Sequence, residues 1–360
     1  MDIVAPKKSL LAALERAHTL ADAKSAVPLL ANALFVVEGG TLQVTATDLY
    51  RAVTTMLDVE VSRAGSIAVP ARDTFERVKA MPDGPVQITA EGTTVLIRAV
   101  GKKRGYTVHG LPAQDFPALP QPTDATWTVI AASLLFRLLS AIHKMISTDE
   151  TRAHVNSALL SGDGKTLRAV ATDGHRLGLD TAPATLAGEQ LEPAKAVADI
   201  RKFLGDLADV EIAVCGSSLF LRAPGLLWST KLVDAPFPPY RQVIPQRGAY
   251  ATVNRAALAE AVKAVGVAAS DRTGGMTFSL GNGVLTIAAE SPESGSATDE
   301  VAADWEGTAC KVGMNGKYVT DALDAITTED VRLQVVGELD PVLILPTEGD
   351  DTFVCMPMRI

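Results

Sequence analysis

Three stretches of this chain are copies of one another, and this internal repeat constrains the fold more than any single residue does. Each copy has a leucine at the same interval of 124 residues, at Leu10, Leu134 and Leu258. Further shared segments cover residues 41–48, 166–173 and, more faintly, 284–291, and others open with Val86, Val210 and Val331. Solenoid units run to only about 20–50 residues, so a period near 120 residues predicts that each copy is a domain with its own core.

Proline-rich connectors lie near the ends of the first two copies, at Pro117–Pro122 and Pro236–Pro239. Prolines clustered between patterned segments are typical of domain linkers. We therefore predict three domains, residues 1–122, 123–246 and 247–360, which are called the first, second and third repeats below. A chain of 360 residues is long enough for three domains.

Each repeat carries two helical patterns separated by strand-like segments. Apolar residues at helical spacing and helix starts after Pro70, Pro193 and at Asn315 predict six helices, at 7–24, 71–82, 133–146, 194–204, 255–272 and 317–326. Runs of Val, Ile, Leu and Thr are broken by turn signals at Gly39-Gly40, Gly162-Asp163-Gly164 and Gly281-Asn282-Gly283, which predict antiparallel hairpins. The fold class predicted is α+β, with two helices packed on antiparallel sheet in each repeat.

Several classes of protein are disfavoured by what the sequence lacks. It has no 18-residue apolar run and no signal peptide, which predicts a soluble, cytoplasmic protein without membrane contact. Cys215, Cys310 and Cys355 form no CxxC pair, and the five histidines show no HExxH spacing. Phosphate-binding loops of Walker or Rossmann spacing are absent too, so neither a metal, a cofactor nor nucleotide hydrolysis is predicted.

The two signs of charge are unevenly distributed along the chain. The net charge is −9, yet the six predicted helices carry 16 Lys or Arg against 9 Asp or Glu. Basic residues on helices often form only a solvated face. The alternative is a surface of helices that faces nucleic acid phosphates, with acidic strands and loops turned away.

The size of a helix limits how such a surface could enclose DNA. Helices packed side by side lie about 10 Å apart, so six in a circle leave a hole of ~9 Å, whereas twelve leave ~28 Å. The grooves of the duplex alone are ~8 Å deep, so only the larger hole could hold it. Encirclement therefore requires two chains.

The densest polar cluster is Ala171-Thr172-Asp173-Gly174-His175-Arg176-Leu177. Asp173 beside His175 allows a catalytic interpretation, although no nucleophile elbow or second carboxylate accompanies them. The competing interpretation is a turn in which Asp173 accepts backbone hydrogen bonds, as the copy at Thr47-Asp48 suggests. Residues 174–177 differ from Leu49-Tyr50-Arg51-Ala52 of the first repeat, which predicts a function particular to the second.

The carboxyl end is apolar, reading Phe353-Val354-Cys355-Met356-Pro357-Met358-Arg359-Ile360. Chain ends are usually polar and frayed, so this one is predicted to pack on the body of the protein. Methionines at an accessible groove also suit the binding of varied peptides, because the thioether adapts to different shapes. Both interpretations remain open on the sequence.

Four features point to one family: the three repeats, the ATDGHRL segment, the terminal MPMRI and Phe237-Pro238-Pro239-Tyr240-Arg241. Together they give the chain a close resemblance, over its whole length, to the bacterial DNA polymerase III beta subunits, the sliding clamps. The resemblance implies a head-to-tail homodimeric ring of six domains around double-stranded DNA, without catalytic activity. It also implies that short peptide motifs of the polymerase III alpha subunit, the clamp loader complex, other polymerases and repair proteins bind in a hydrophobic groove.

By the family's motifs, the groove residues expected here are Val155, Thr172, Gly174, His175, Arg176, Leu177, Pro238, Gln242, Val243, Val354, Met356, Pro357, Met358, Arg359 and Ile360. Gln242 stands where the family pattern has an arginine. The alternatives to a clamp are an enzyme that uses Asp173 and His175, and a peptide-binding scaffold unrelated to DNA. The scaffold would leave the basic helices unexplained.

The resemblance also implies DNA contacts from basic helices and one loop, at Lys24, Arg72, Asp149, Ala153, His154, Lys195 and Lys202. Family members often have aromatic residues at the positions of Ala153 and His154. The ring interface is expected to join Tyr106 and Val108 of one subunit to Val267 and Ala268 of the other. Ala268 is smaller than the residue expected there.

Overall fold

The computed structural model describes residues 1–22, 25–205, 207–270, 272–292, 294–305 and 307–359. Within these ranges the chain forms six α-helices, 25 β-strands and five short 3-10 helices. None of the helices so described is long and apolar enough to cross a membrane.

The helices and strands follow one another in the same general order in each repeat. The first repeat contains β1 (Asp2–Pro6), α1 (Lys7–Leu20), β2 (Asn32–Glu38), β3 (Thr41–Thr47), β4 (Arg51–Asp58), β5 (Glu60–Arg63), β6 (Gly65–Pro70), α2 (Ala71–Lys79), β7 (Pro85–Glu91), β8 (Thr94–Ala99) and β9 (Gly105–His109). The second contains β10 (Thr128–Ala131), α3 (Ala132–Ile142), β11 (Ser157–Asp163), β12 (Thr166–Thr172), β13 (Arg176–Pro183), β14 (Ala187–Pro193), α4 (Ala194–Leu204), β15 (Asp209–Cys215), β16 (Ser218–Ala223) and β17 (Leu226–Lys231). The third contains β18 (Ala249–Asn254), α5 (Arg255–Val265), β19 (Gly275–Gly281), β20 (Val284–Ser291), β21 (Gly295–Trp305), β22 (Cys310–Asn315), α6 (Gly316–Ala325), β23 (Asp330–Val335), β24 (Val342–Pro346) and β25 (Thr352–Cys355).

The valines aligned by the sequence comparison occupy equivalent positions in the three repeats. In each repeat, the strand before the first helix pairs antiparallel with the strand after the second helix. The facing pairs are Ala5 with Val86, Ile130 with Val210, and Val253 with Val331. This shared register confirms the threefold repeat, and the helices with their antiparallel strands confirm the α+β class.

The helices begin at the predicted residue or, for α3 and α6, one residue before it, but several end earlier than predicted. α1 ends at Leu20 because Ala21 has an extended backbone, with ψ of 123°, and so the predicted end at residue 24 is wrong. α3 and α5 each give way to a 3-10 turn, at His143–Met145 and Gly266–Ala268. Apolar residues continue through these turns, and periodicity alone cannot mark the change from one helix type to the other.

Two of the three predicted glycine turns are built as expected. Gly39-Gly40 and Asn282-Gly283 have positive φ at both residues, as two-residue hairpin turns require. Gly162 is different because it lies inside β11, where a Cβ would come within 2.0 Å of the carbonyl oxygen of Leu186. Close approach of backbone explains Gly162, and Gly164 with φ of 82° forms the turn.

The chain divides into two compact units. Unit 1 comprises Met1–Ala132 and Lys202–Leu232, and unit 2 comprises Ser133–Arg201 and Val233–Ile360. These units do not coincide with the repeats, because strands of adjacent repeats pair within one sheet. The domain boundaries at 122 and 246 remain a prediction.

Unit 1 contains a five-stranded sheet in the order β5-β1-β7-β8-β9 and an eight-stranded sheet in the order β10-β15-β16-β17-β4-β3-β2-β6. α1 packs on the strands of the first repeat and buries Leu10, Leu14 and Ala17 completely. Burial of one apolar helix face against a sheet is the main stabilising contact of such a layer.

Unit 2 contains one twelve-stranded sheet in the order β14-β11-β12-β13-β25-β24-β23-β18-β21-β20-β19-β22. β13 of the second repeat joins β25 of the third, with Leu177 facing Val354. The ends of β13 and β25 therefore bring the ATDGHRL turn and the carboxyl-terminal tail together, although they are far apart in sequence.

Candidate functional site

The turn between β12 and β13 is held by two side chains, Thr172 and Asp173. The Thr172 hydroxyl donates to the carbonyl oxygen of Arg176 at 2.6 Å and accepts from the backbone N–H of Gly174 at 3.1 Å. Asp173 Oδ1 accepts from the backbone N–H groups of His175 and Arg176, at 2.9 and 3.1 Å. The carboxylate thus accepts hydrogen bonds that stabilise the turn, which favours the structural interpretation of Asp173 over the catalytic one.

The first repeat builds the same turn with Thr47, Asp48 and Arg51. Thr47 Oγ1 donates to the carbonyl oxygen of Arg51 at 2.7 Å, and Asp48 accepts from the backbone and the guanidinium of Arg51. Leu49 replaces Gly174 and has φ of +74°, a costly conformation for a leucine. Arg176 is therefore not particular to the second repeat, contrary to the prediction, whereas Gly174 and His175 are.

A cavity of about 200 Å³ opens beside this turn in unit 2. The described residues that line it are Val155, Thr172, Gly174, Arg176, Leu177, Pro238, Pro239, Tyr240, Gln242, Val243, Val354 and Met356. Ten of them are residues predicted for the groove. Pro239 and Tyr240 were missed, although the Phe237–Arg241 motif that carried the resemblance contains both.

The floor of the cavity is a buried apolar cluster. Leu177 and Val354 are 2% exposed and pack with Tyr240, while Phe237 and Met356 pack against the cluster from its margin. The Phe237 and Tyr240 rings meet edge to face, with centroids 6.2 Å apart. A rigid apolar floor with a partly open mouth can accept apolar side chains from a ligand.

The tail after β25 is fixed by backbone hydrogen bonds at two points. The N–H of Met356 donates to the carbonyl oxygen of His175 at 2.9 Å, and that of Met358 donates to Gly313 at 2.8 Å. Burial raises the pKa of the adjacent Cys355 thiol to about 12, so this cysteine is a packing residue. The tail packs on the body, as predicted, and it lines the cavity through Met356, so its part in peptide binding stays a prediction.

Four other residues predicted for the groove lie outside the cavity lining. His175 and Arg359 are exposed, while Pro357 and Met358 are half-buried on the tail. His175 still contributes through its backbone, since its carbonyl oxygen holds Met356. Ile360 lies outside the described residues.

Arg176 is the one charged side chain among the described residues of the cavity wall. Its Nε donates to Asp173 at 2.9 Å, and its Nη1 donates to Asp321 of α6. The guanidinium carbon also lies 4.5 Å from the centre of the Tyr318 ring. With 10% of the side chain exposed, Arg176 is held on three sides.

Asp321 connects Arg176 to two lysines. Lys317 Nζ donates to Asp321 at 2.8 Å, and Lys144 Nζ lies 3.4 Å from the same carboxylate and 2.6 Å from Asp324. Burial would raise the pKa of Asp321, but hydrogen bonds from Lys317 and Arg176 outweigh burial and lower it. Asp321 is therefore ionised at neutral pH.

A second buried carboxyl group lies in β14, away from the cavity lining. Both oxygens of Glu192 are buried and have no hydrogen-bond partner within the described structure. Burial raises the pKa of Glu192 to about 8. The register of β14 on β11 places Glu192 where the other repeats have the buried apolar residues Val69 and Met314.

The residues predicted to contact DNA are basic helical positions and one loop. In unit 1, Arg72 is exposed as the second residue of α2, and Lys202 donates to Thr19 at 2.7 Å. In unit 2, Lys195 is the second residue of α4 and lies 3.5 Å from Glu150. Lys24 lies outside the described residues.

The loop predicted to contact DNA is ordered by its own aspartate. Asp149 accepts from the hydroxyl of Thr151 at 2.6 Å and from Arg152 Nε at 3.0 Å. Hydrogen bonds from Thr151, then from Arg152, lower the pKa of Asp149, so this side chain is an anion and cannot itself bind a phosphate. Ala153 is exposed and His154 is half-buried beside it.

With the observed bounds, the six helices carry 13 Lys or Arg and 7 Asp or Glu. The basic excess therefore survives the shortening of the helices. Arg72 and Lys195 have a counterpart that the sequence analysis missed, because Lys317 is likewise the second residue of the second helix in its repeat.

The residues predicted for the ring interface differ in exposure. Tyr106 is half-buried on β9, an edge strand of its sheet, whereas Val108 is 4% exposed and points into the core of unit 1. Val267 is 82% exposed, and its neighbour Ala268 is 6% exposed. The side chains of Tyr106 and Val267 are thus more accessible to a partner than those of Val108 and Ala268.

No group of three His, Cys, Asp or Glu side chains suited to a metal ion occurs in the described part of the chain. The three cysteines are unpaired.

Comparisons with known proteins connect this site to a family. Three family models of the DNA polymerase III beta subunit match this chain. The N-terminal domain model matches residues 1–120, the central domain model 129–239 and the C-terminal domain model 241–359. A beta sliding clamp of Pseudomonas putida is 31% identical over 369 residues, and one of Escherichia coli K12 is 27% identical over 371, each with 100% of both chains covered. The crystal structure of the Pseudomonas aeruginosa sliding clamp bound to griselimycin matches with a TM-score of 0.95 and 30% identity over 100% of both chains. The chain therefore belongs to the DNA polymerase III beta subunit family, the beta sliding clamps.

Proposed function

We propose that this chain is the processivity clamp of a replicative DNA polymerase. Two copies join head to tail in a ring that encircles double-stranded DNA without sequence specificity and slides along it. The clamp is a non-catalytic accessory subunit that tethers its partners to DNA. Its place of action is the cytoplasm, where bacterial DNA is replicated.

The observation that carries this proposal is the composition of the cavity in unit 2. Its wall combines the ATDGHRL turn, the connector from Pro238 to Val243 and Met356 of the tail. The lining is predominantly apolar and fixed by backbone hydrogen bonds, so it is formed before a ligand arrives. Such a groove fits a short peptide with apolar side chains.

The partners follow from this groove and from the family. We propose that it receives short motifs of the DNA polymerase III alpha subunit, of the clamp loader complex, and of other polymerases and repair proteins. The peptide-contacting residues are the predicted set, to which the cavity adds Pro239 and Tyr240. The three domains, 1–122, 123–246 and 247–360, are part of the same proposal.

Charge and strand geometry support the ring and its contact with DNA. The net positive charge of the helices suits phosphates. Arg72, Lys195 and Lys202 are the proposed contacts within the described residues, and Lys24 is a further proposed contact outside them. β9 ends its sheet in unit 1, and an unpaired edge of backbone groups can pair with a second chain. Tyr106 and Val267 are the side chains proposed to meet across that interface.

Retention on DNA tests the proposal directly. The protein should stay on closed circular DNA through gel filtration once a clamp loader has placed it there, and should be lost from the same DNA after linearisation. Equal retention on both forms would exclude topological binding. A scaffold unrelated to DNA would instead show no salt-dependent DNA association. Detection of monomer alone by light scattering would exclude the two-chain ring.

A further inference from the structure

The cavity wall contains one charged side chain within its described lining, that of Arg176. A free guanidinium at the edge of a peptide groove would attract acidic residues of the ligand. Whether the groove selects acidic peptides therefore depends on what surrounds Arg176.

The guanidinium is surrounded by compensating groups. Asp173 and Asp321 each accept one of its hydrogen bonds, and the Tyr318 ring lies 4.5 Å from it. Charge-assisted bonds on two sides of the planar guanidinium fix its orientation as well as its charge.

The wider cluster around Asp321 is balanced. Three cations, Arg176, Lys144 and Lys317, meet three carboxylates, Asp173, Asp321 and Asp324. Asp321 is the common partner of all three cations, and its side chain is only 9% exposed. Removal of this one carboxylate would leave the cluster with an excess positive charge at the groove wall.

We propose that Asp321 is a positioning residue that holds and neutralises Arg176, so that the groove selects partner peptides by their apolar side chains and not by their charge. This inference rests on the proposed peptide-binding function and adds that the groove does not select its ligand by charge. The preferred ligand is a peptide with apolar side chains, with little preference for acidic or neutral neighbours.

The Asp321→Asn substitution isolates the charge, because it keeps the size of the side chain and one acceptor oxygen. Of the carboxylates in the described ranges, only Asp173 then remains as an ionic partner of Arg176, which can turn toward the cavity. An acidic group on a bound peptide then gains a favourable interaction that the wild-type protein does not offer, and salt screens this interaction.

The test uses two fluorescent synthetic peptides that share leucine and phenylalanine residues and differ by a single Glu or Gln beside them. Anisotropy titration of the wild-type protein should give nearly equal affinities, with a ratio that does not change between low and high salt. Asp321→Asn should bind the Glu peptide about three- to tenfold more tightly than the Gln peptide at low salt, the range expected for one partly screened charge pair. High salt should remove this preference.

Asp324→Asn is the matched control. It removes the same charge from the same helix, but Asp324 pairs with Lys144 at 2.6 Å and its side chain is 51% exposed. The control should keep the wild-type ratio, which would assign the effect to contact with Arg176 and not to the loss of any one carboxylate.

A wild-type preference for the Glu peptide, or an unchanged ratio in a folded Asp321→Asn protein, would overturn the inference. If Asp321→Asn does not fold, the wild-type ratio and its response to salt still decide whether the groove selects peptides by charge, and a preference there overturns the inference. If the wild-type protein binds neither peptide, the proposed function fails first and the inference fails with it. That result differs from one in which both peptides bind with charge preference.

Discussion

The turns at residues 47–51 and 172–176 share a hydrogen-bonding framework but have different residues at the tip. Both use a threonine, an aspartate and an arginine with equivalent hydrogen bonds. At the tip, the first turn exposes 60% of Leu49 and 70% of Tyr50, whereas the second has Gly174 and His175. The strand pairing is also equivalent, since β4 joins β17 and β13 joins β25.

This comparison separates the structural features that the repeats share from those built by residues that differ between the repeats. The Thr-Asp-Arg framework shapes the chain in both places and needs no ligand to explain it. The cavity forms beside the second turn, where glycine leaves the mouth open and the apolar tail follows the adjoining strand. A repeated scaffold thus supports a site that is built from non-repeated residues.

Deletion of Met356–Ile360 should have the largest effect on peptide affinity. The deletion removes Met356 from the cavity wall and the backbone bonds to His175 and Gly313. Peptide affinity, measured by calorimetry, should fall by about 100-fold or more, the scale of a buried hot-spot contact. Light scattering should still show a folded dimer, and loss of the dimer would make the tail mainly structural.

Replacement of either turn aspartate should lower the stability of the protein, but only the replacement in the second turn should weaken peptide binding. Asp48→Ala and Asp173→Ala each leave two backbone N–H groups without their acceptor, and each should lower the free energy of unfolding by about 1–3 kcal/mol. Only Asp173→Ala should weaken peptide binding, because Asp173 also holds Arg176. Equal weakening by both variants would contradict a local site.

The Glu192→Met substitution tests a residue that differs from its counterparts in the other repeats and lies away from the cavity lining. Because folding raises the pKa of Glu192 to about 8 from 4.5, the free energy of unfolding of the wild-type protein should fall as pH rises through this window. The variant restores the apolar residue of the third repeat and should be more stable by about 1–3 kcal/mol at neutral pH, with a larger difference at pH 8. Chemical denaturation at several pH values would measure this, and a pH-independent difference would contradict it.

Gln242→Arg should have the smallest effect. Gln242 is exposed at the rim of the cavity, so an added guanidinium there is solvated and flexible. Peptide affinity should change by about threefold or less, with the larger change for an acidic peptide. A tenfold change would show that position 242 reaches into the groove.

Much of the fold could be predicted from the sequence, and ten of the 12 residues that line the cavity were expected from the family's motifs. The repeat aligned Val86, Val210 and Val331 correctly because each pairs with the same strand in its own repeat. The meeting of the ATDGHRL turn with the tail could not be derived from local pattern, because it depends on the pairing of β13 with β25. It was predicted only through the family resemblance.

Other features required the three-dimensional structure. Arg176 and Asp321 are 145 residues apart, and nothing in the local sequence of α6 connects it to the groove. The end of α5 could not be located from the sequence, because apolar residues continue into the 3-10 turn. Glu192 could not be distinguished from a solvated glutamate, since only the register of β14 shows that it replaces a core residue.

Exchange of the two turn tips tests the central claim most directly, that peptide binding resides where the second repeat departs from the first. Leu49 already adopts a positive φ in this framework, and among the described residues a Cβ at Gly174 would meet only Arg152 Nη1, at 3.9 Å. The protein carrying Gly174→Leu and His175→Tyr should therefore fold, yet lose about tenfold or more in peptide affinity by calorimetry, because leucine obstructs the mouth of the cavity. The reciprocal Leu49→Gly and Tyr50→His protein should bind the peptide as the wild type does. Undiminished binding by the first variant, or equal losses in both, would contradict the account.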